Sequence, residues 1–168
     1  AKKSIVLLKN TNKILPLKKK GQTIALIGPL AADKNSPLGN WRTAADDNSA
    51  ISVKEGLGFY KGNKINYAQG VRLVNKIPDG FHEEVQINTT DRTGFKEAKM
   101  AAKNADVVVM VLGEYGFQSG EGRSRVNLDL PGFQQELLEQ MHQKRCQSFY
   151  SFVFYQKEYL FLNVLVQN

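Results

Sequence analysis

The stretch Asp106–Gly113, with the sequence DVVVMVLG, decides the fold of this chain. Its apolar residues follow one another without polar alternation, which is typical of a parallel strand covered on both faces. Valine also favours extended backbone. Thr23–Gly28 (TIALIG) is a second stretch of this kind, and Lys64–Ala68 (KINYA) predicts another strand between the two. These three stretches predict a buried sheet.

Helical patterns lie between and after the strands. The first is SVKEGLGFY, capped by Ser52 and ended by its two glycines. The second starts at Asp91 or Thr93 and repeats Phe and Ala at helical spacing. The third, PGFQQELLEQMHQ, has Pro131 at its start, where proline is favoured. Alternation of strand and helix predicts an α/β fold with a mostly parallel sheet flanked by helices, an α/β sandwich.

Composition limits the classes of function. The chain has 168 residues, is 42% hydrophobic and carries a formal charge of +7, which suits one globular domain. The Lys18–Lys20 run lacks aromatic stacking partners, so we expect a solvated loop and no nucleic-acid partner. No apolar run reaches the roughly 18 residues of a membrane span. Cys146 is the only cysteine, and with two histidines it gives no metal constellation and no cofactor site.

The loop after the Asp106–Gly113 strand carries candidate chemistry. It reads EYGFQSGEGRSRVNLDL and contains Glu114, Glu121, Arg123 and Arg125 among three glycines. An exposed acid on a flexible loop can reach a substrate bound beside the domain, and glycosidases need an acid to protonate the leaving oxygen. The alternative is that a loop glutamate beside an arginine forms only a surface ion pair.

The loop after the first buried strand holds Trp41, the only tryptophan, within LGNWR. Indole faces can pack against the apolar faces of sugar rings. The alternative is that Trp41 covers a helix end. Near Gly28 the Gly-x-Gly-x-x-Gly spacing of dinucleotide sites is missing, and Pro29 removes a backbone donor. A nucleotide-binding fold of that type is therefore rejected.

The tail 145–168 differs from the preceding sequence, since it is rich in aromatic residues and lacks Gly, Ala, Pro, Asp and Thr. Part of SFVFY or YLFLNVLV could supply the next strand of the sheet. The other hypothesis is that the tail is a non-native reading frame or an artificial end. We expect residues 1–144 to form an α/β domain that is truncated at its C-terminal end.

The motifs SIVLLKN, ILPL, IALIGPLA, LGNW, DVVVMVLGE and LDLPGFQQELL occur in this order over roughly residues 1–144. Together they resemble the C-terminal α/β sandwich domain of glycoside hydrolase family 3, whose members include β-glucosidases and β-xylosidases. The resemblance implies a barrel domain before this region that carries an aspartate nucleophile. It implies a retaining mechanism in which Glu121 is the acid/base. Arg123 or Arg125 would orient Glu121 or contact the sugar, Trp41 would form an aromatic wall, and Glu114 would be structural or sugar-adjacent.

The partners implied by the resemblance are a β-linked glucoside or oligosaccharide and the missing N-terminal barrel. We therefore expect a fragment that supplies the acid/base domain and is inactive alone, without a cofactor. The family resemblance also suggests a periplasmic or secreted location. The competing hypothesis is a non-catalytic module that binds carbohydrate or acts as a scaffold between domains.

Overall fold

The computed structural model describes residues 5–7, 10, 13, 15–42, 44–78, 83–127, 129–142, 149–155 and 159–163, with backbone only for the last two segments. The strands are β1 (Ile5–Leu7), β2 (Lys20–Ile27), β3 (Gly62–Ala68), β4 (Val74–Lys76), β5 (Gln86–Ile87), β6 (Val107–Gly113), β7 (Phe149–Tyr155) and β8 (Tyr159–Asn163). The helices are α1 (Val53–Gly58), α2 (Phe95–Lys103) and α3 (Gln134–His142).

The main sheet has the strand order β1-β8-β7-β6-β2-β3. Its centre is parallel: β6 pairs with β2 on one side and with β7 on the other, and β2 also pairs with β3. Only β7 and β8 run antiparallel within this sheet. The predicted parallel α/β architecture is confirmed.

Every residue of β6 is buried, as its unbroken apolar sequence requires. On one face of the sheet, α2 and α3 pack against alternate residues of β2 and β6, such as Ile27 and Met110. On the other face, Val53 and Leu57 of α1 pack against the remaining set, such as Leu26 and Val109. Because successive side chains of a strand point to opposite faces, the two central strands contribute to both halves of the core.

All three predicted helices have different boundaries. Helix α2 begins at Phe95 rather than at Asp91 or Thr93. Helix α3 begins at Gln134 rather than at Pro131, because Gly132 adopts a φ of +65°, which is not helical. A Cβ at Gly132 would lie 2.8 Å from the carbonyl oxygen of Asn88. In α1, Gly56 lies inside the helix instead of ending it, and Phe59 is the C-cap.

The stretch between β3 and Thr90 contains the antiparallel pair β4–β5. It is closed by Asn88, a fully buried side chain whose amide donates to the carbonyl oxygens of Arg72 and Asp91. Its side-chain oxygen accepts from the backbone N–H groups of Thr90 and Asp91. All the side-chain polar atoms of this buried residue are therefore satisfied.

The tail supplies strand β7, which runs parallel to β6 with Val108 opposite Phe149 and Gly113 opposite Phe154. Of the two stretches expected to supply the next strand, SFVFY does so as part of β7, whereas YLFLN forms β8, which pairs antiparallel with β7. Cys146 and the proposed junction near Lys144 lie outside the described residues. The hypothesis that the tail is non-native stays a prediction.

Candidate active site

The topology creates a switch point at the carboxyl ends of the central strands, where we expect a crevice. Strand β2 leads through α1 to β3 on one side, whereas β6 leads through α3 to β7 on the other side. The chain thus turns in opposite directions after two adjacent parallel strands, and α/β proteins bind ligands outside the carboxyl ends at such a point. The segments that border this crevice are the first loop, residues 28–52, and the second loop, residues 114–130.

The first loop leaves the sheet at Gly28, which has a φ of +131°. A Cβ at this position would lie 2.1 Å from the carbonyl oxygen of Val111, so the loop crosses the backbone of β6 in close contact. Only glycine permits both this φ and this approach. Gly28 therefore fixes where the first loop starts.

Short-range polar contacts fold the first loop. The Asp33 carboxylate accepts hydrogen bonds from the backbone N–H groups of Asn35 (2.7 Å) and Ser36 (3.0 Å). The Arg42 guanidinium donates to Asn35 Oδ1 at 2.8 Å and pairs with Asp47 at 2.9 Å. These bonds link residues on both sides of Trp41 within the first loop, although much of the surface of this loop is exposed.

The second loop is anchored at its base by Gln134, the first residue of α3. The Gln134 side chain is fully buried, and its Oε1 accepts from the Gly113 N–H at 2.9 Å. Its Nε2 donates to the carbonyl oxygens of Gly113 (2.7 Å) and Pro131 (3.0 Å). One side chain therefore ties the end of β6 to the segment that follows the loop.

A second anchor is the ion pair between Glu114 and Arg125. Glu114 is 8% exposed, and Arg125 also donates to the carbonyl oxygen of Asp129. The ion-pair alternative raised for the loop glutamates thus applies to Glu114, although this pair is largely buried and does not lie at the surface. Glu121 is exposed, and Arg123 is partly buried in the same loop.

Contacts between the two loops join them across the crevice. The backbone N–H of Gly116 donates to Ser36 Oγ at 3.1 Å, and the Arg42 guanidinium lies 5.6 Å from the centre of the Phe117 ring. Asn40 Nδ2 donates to the carbonyl oxygen of Ser119 at 2.6 Å. The two loops therefore meet as one unit.

These contacts bring two predicted site residues to neighbouring positions. Trp41 follows Asn40, and Glu121 follows the Ser119–Gly120 segment that Asn40 contacts. Trp41 is 64% exposed, so most of its side chain is left uncovered by the described part of the chain. Arg125 is directed to Glu114 and Asp129 instead.

The second loop also carries two aromatic side chains. The Tyr115 and Phe117 rings are 6.0 Å apart and tilted. Burial, and then the negative charge of Asp33, raise the pKa of the Tyr115 hydroxyl, so Tyr115 stays neutral near pH 7.

Within the described part of the chain, no group of three or more His, Cys, Asp or Glu side chains is arranged to hold a metal ion. Among the helices described, none combines the length and the apolar character of a transmembrane span.

Sequence reasoning missed Asn40, Ser36 and Gln134. Asn40 lies in the LGNW motif and Gln134 in LDLPGFQQELL, so both belong to motifs that were noticed as wholes. Their roles depend on partners 79 and 21 residues away, respectively, which no local pattern reveals.

Comparison with known proteins agrees with this architecture. Residues 5–152 match the glycosyl hydrolase family 3 C-terminal domain. The periplasmic β-glucosidase of Salmonella typhimurium is 40% identical over 146 residues, which are 82% of this chain and 19% of that protein. The β-xylosidase of Formosa agariphila is 39% identical over 149 residues, 84% of this chain and 19% of that protein.

Among solved structures, the family 3 β-glucosidase of Bifidobacterium adolescentis superposes with a TM-score of 0.66 at 29% identity, covering 87% of this chain and 19% of that one. This chain thus spans about a fifth of the length of these relatives. Fold, motif order and sequence identity agree: the chain belongs to glycoside hydrolase family 3, whose C-terminal α/β domain it represents.

Proposed function

We propose that this domain supplies the acid/base residue, Glu121, of a retaining β-glycosidase of the β-glucosidase or β-xylosidase type. The observation that supports the proposal is the exposure of Glu121 on the loop that follows β6, a loop anchored at both ends. The relatives named as β-glucosidase and β-xylosidase support the reaction class.

In the proposed mechanism, an aspartate of a barrel domain beside this one attacks the anomeric carbon of a β-linked glucoside or oligosaccharide. Glu121 protonates the departing glycosidic oxygen and then deprotonates the water that releases the sugar. The two carboxyl groups of a retaining enzyme stand about 5–5.5 Å apart. Glu121 must therefore project from this domain toward the barrel.

Neighbouring residues have separate proposed roles. Trp41 offers its exposed indole face to a sugar ring. Arg123 orients Glu121 or contacts the sugar, whereas Arg125 acts through Glu114 by keeping the loop closed. Because the nucleophile belongs to the other domain, we expect the 168-residue chain alone to show no hydrolysis of an aryl β-glucoside.

The test is Glu121→Ala in the full-length enzyme, assayed with substrates of different leaving groups. Loss of a general acid should lower kcat/KM for an alkyl β-glucoside by roughly 10²–10⁴-fold, with a much smaller loss for the dinitrophenyl glucoside, whose leaving group needs no proton. Azide should partly restore turnover and yield the glycosyl azide. Glu139→Ala, which removes an exposed glutamate of α3, is the matched control. Unchanged activity of Glu121→Ala would exclude it as the acid/base.

The exposure of Trp41 also favours a second candidate, a non-catalytic module that binds carbohydrate. In that case the isolated chain should bind a β-linked oligosaccharide in a calorimetric titration, and Trp41→Ala should abolish the heat. As a scaffold between domains, the same surface would instead bury Trp41 against a neighbouring domain. The name of the Salmonella relative supports a periplasmic or secreted location for either candidate.

A further inference from the structure

Two glycines flank Glu121, and their environments differ. Gly122 has a φ of +69°, and a Cβ there would meet nothing within 4 Å. Gly120 has a φ of +127°, and a Cβ there would lie 1.7 Å from Asn40 Nδ2. Of these two glycines, only Gly120, on the N-terminal side of Glu121, is in close contact with a neighbour, and that neighbour is Asn40.

Asn40 combines this packing with a directed bond. Its Nδ2 donates to the carbonyl oxygen of Ser119 at 2.6 Å, two residues before Glu121. The other two contacts between the loops reach only Gly116 and Phe117, which lie farther from Glu121 along the chain. Of these three contacts, the one from Asn40 is thus the nearest to Glu121.

The contact from Asn40 matters because Glu121 lies between two flexible glycines. A general acid must lie within hydrogen-bonding distance of the glycosidic oxygen, and a displacement of about 1 Å can cost on the order of 10²-fold in rate. With glycine on both sides, Glu121 has little conformational restraint of its own. A bond from the opposite loop can supply that restraint.

We propose that Asn40 is a positioning residue for Glu121, which it places through the Ser119 carbonyl and the packed Gly120. The inference rests on the proposed acid/base role of Glu121. Asn40 also couples the two loops, because it contacts the second loop and directly precedes Trp41 in the first. Displacing Asn40 therefore disturbs the proposed acid and the proposed sugar platform together.

The experiment compares kcat/KM of the full-length enzyme for an alkyl and a dinitrophenyl β-glucoside. Asn40→Ala should lower kcat/KM for the alkyl glucoside by about 10-fold and kcat/KM for the dinitrophenyl glucoside by less than about 2-fold. Only the alkyl leaving group needs a proton from a correctly placed Glu121. Partial unfolding would lower both kcat/KM values equally. The ratio of the two values therefore distinguishes a displaced Glu121 from a loss of folded enzyme. Asn40→Asp keeps the shape but not the donor and should behave like Asn40→Ala.

Asn63→Ala is the matched control, because Asn63 Nδ2 also donates to a distant backbone oxygen, that of Lys18 at 2.8 Å. Asn63 lies at the opposite edge of the sheet, where β3 begins, so its loss should leave the ratio unchanged. A second test is the Gly120→Ala substitution. Its effect on the ratio of the two kcat/KM values should be smaller in an Asn40→Ala background, because the amide with which the new Cβ would clash is gone.

The outcomes are distinct. If Glu121→Ala changes the leaving-group ratio and Asn40→Ala does not, the positioning role is overturned while the acid/base role stands. A wild-type ratio in Asn40→Asp would likewise overturn it, since the hydrogen bond would not matter. If Glu121→Ala leaves the ratio unchanged, both proposals fall together.

Discussion

At the residue scale, the position of the first loop depends on the absence of a side chain at Gly28. The residue combines a φ of +131° with an approach that would place a Cβ 2.1 Å from a backbone oxygen of β6. Neither Gly28 nor the β6 backbone that it contacts can move without shifting a central strand, because β2 and β6 pair directly. The strand end and the loop are therefore fixed together.

We expect Gly28→Ala to lower the free energy of unfolding by about 2–4 kcal/mol, through backbone strain and displacement of β6. Urea denaturation of the chain measures it. Gly56→Ala is the control: Gly56 lies within α1, and a Cβ there meets nothing within 4 Å. That substitution should stabilise by about 0.5–1 kcal/mol. Equal effects of the two substitutions would contradict the role assigned to Gly28.

Single residues were predictable where their chemistry is unusual for their surroundings. Glu121 between glycines and Trp41 in a polar loop could be singled out from sequence, although their roles stay predictions. Asn40 could not, because an asparagine in a loop ordinarily indicates a turn. Only the fold brings its amide to Ser119, 79 residues farther along the chain.

At the element scale, the predicted cap of α1 is confirmed. Ser52 accepts from the Glu55 N–H at 3.1 Å, and Glu55 accepts in return from the Ser52 N–H at 2.8 Å. This is a capping box, in which each residue satisfies a backbone donor of the other. Lys34 of the first loop donates to the same carboxylate at 2.9 Å, so the helix start is tied to that loop.

The hydrogen bond from the Ser52 backbone, followed by those from the Lys34 side chain and the Ser52 hydroxyl, lowers the pKa of Glu55 from 4.5 to about 2. Because the folded-state pKa is the lower one, Glu55 contributes stability above pH 4.5 that is lost as the pH falls toward 2. The midpoint of thermal unfolding, followed by circular dichroism from pH 5 to pH 2, should therefore fall less steeply in Glu55→Gln.

Lys34→Met is the companion variant for this pH dependence, since it removes the second-largest cause of the lowered pKa. The Glu55 contribution should then disappear over a narrower pH range that ends above pH 2. Identical slopes in wild type and Glu55→Gln would mean that the capping box does not form in solution.

Element boundaries were less predictable than the elements themselves. Pro131 favours a helix start, yet the backbone at Gly132 has a positive φ and is not helical. Gly132 also packs closely against the carbonyl of Asn88. The β4–β5 pair was missed since its strands have only three and two residues and little apolar pattern. Local sequence carries no information about such neighbours.

At the scale of the whole molecule, the alternation of strands and helices predicts a parallel sheet but not the order of its strands. The order matters, because the crevice exists only where β2 and β6 are adjacent and lead in opposite directions. The adjacency of β2 and β6 depends on the crossover connection from β3 to β6, which passes over β2. The residues on that crossing carry no motif that specifies it.

Strand β7 covers one edge of β6 over the register Val108–Phe149 to Gly113–Phe154. A chain that ends after His142 would leave this edge of a fully buried strand unpaired, and such edges promote aggregation. We expect the shortened chain to lose cooperative urea unfolding and to form oligomers in size-exclusion chromatography with light scattering. A monomeric, cooperatively folding product would show that the aromatic tail is dispensable.

The contacts that join the two loops also bear on how substrate preference can change in this family. A loop inherited or grafted singly would meet a partner whose amide, hydroxyl and ring no longer match it, as Asn40 with Ser119 and Arg42 with Phe117 illustrate. New specificity should therefore be transferred by exchanging both loops as a cassette. Separate exchange would leave the proposed acid, Glu121, and the proposed sugar platform, Trp41, on loops that no longer fit each other.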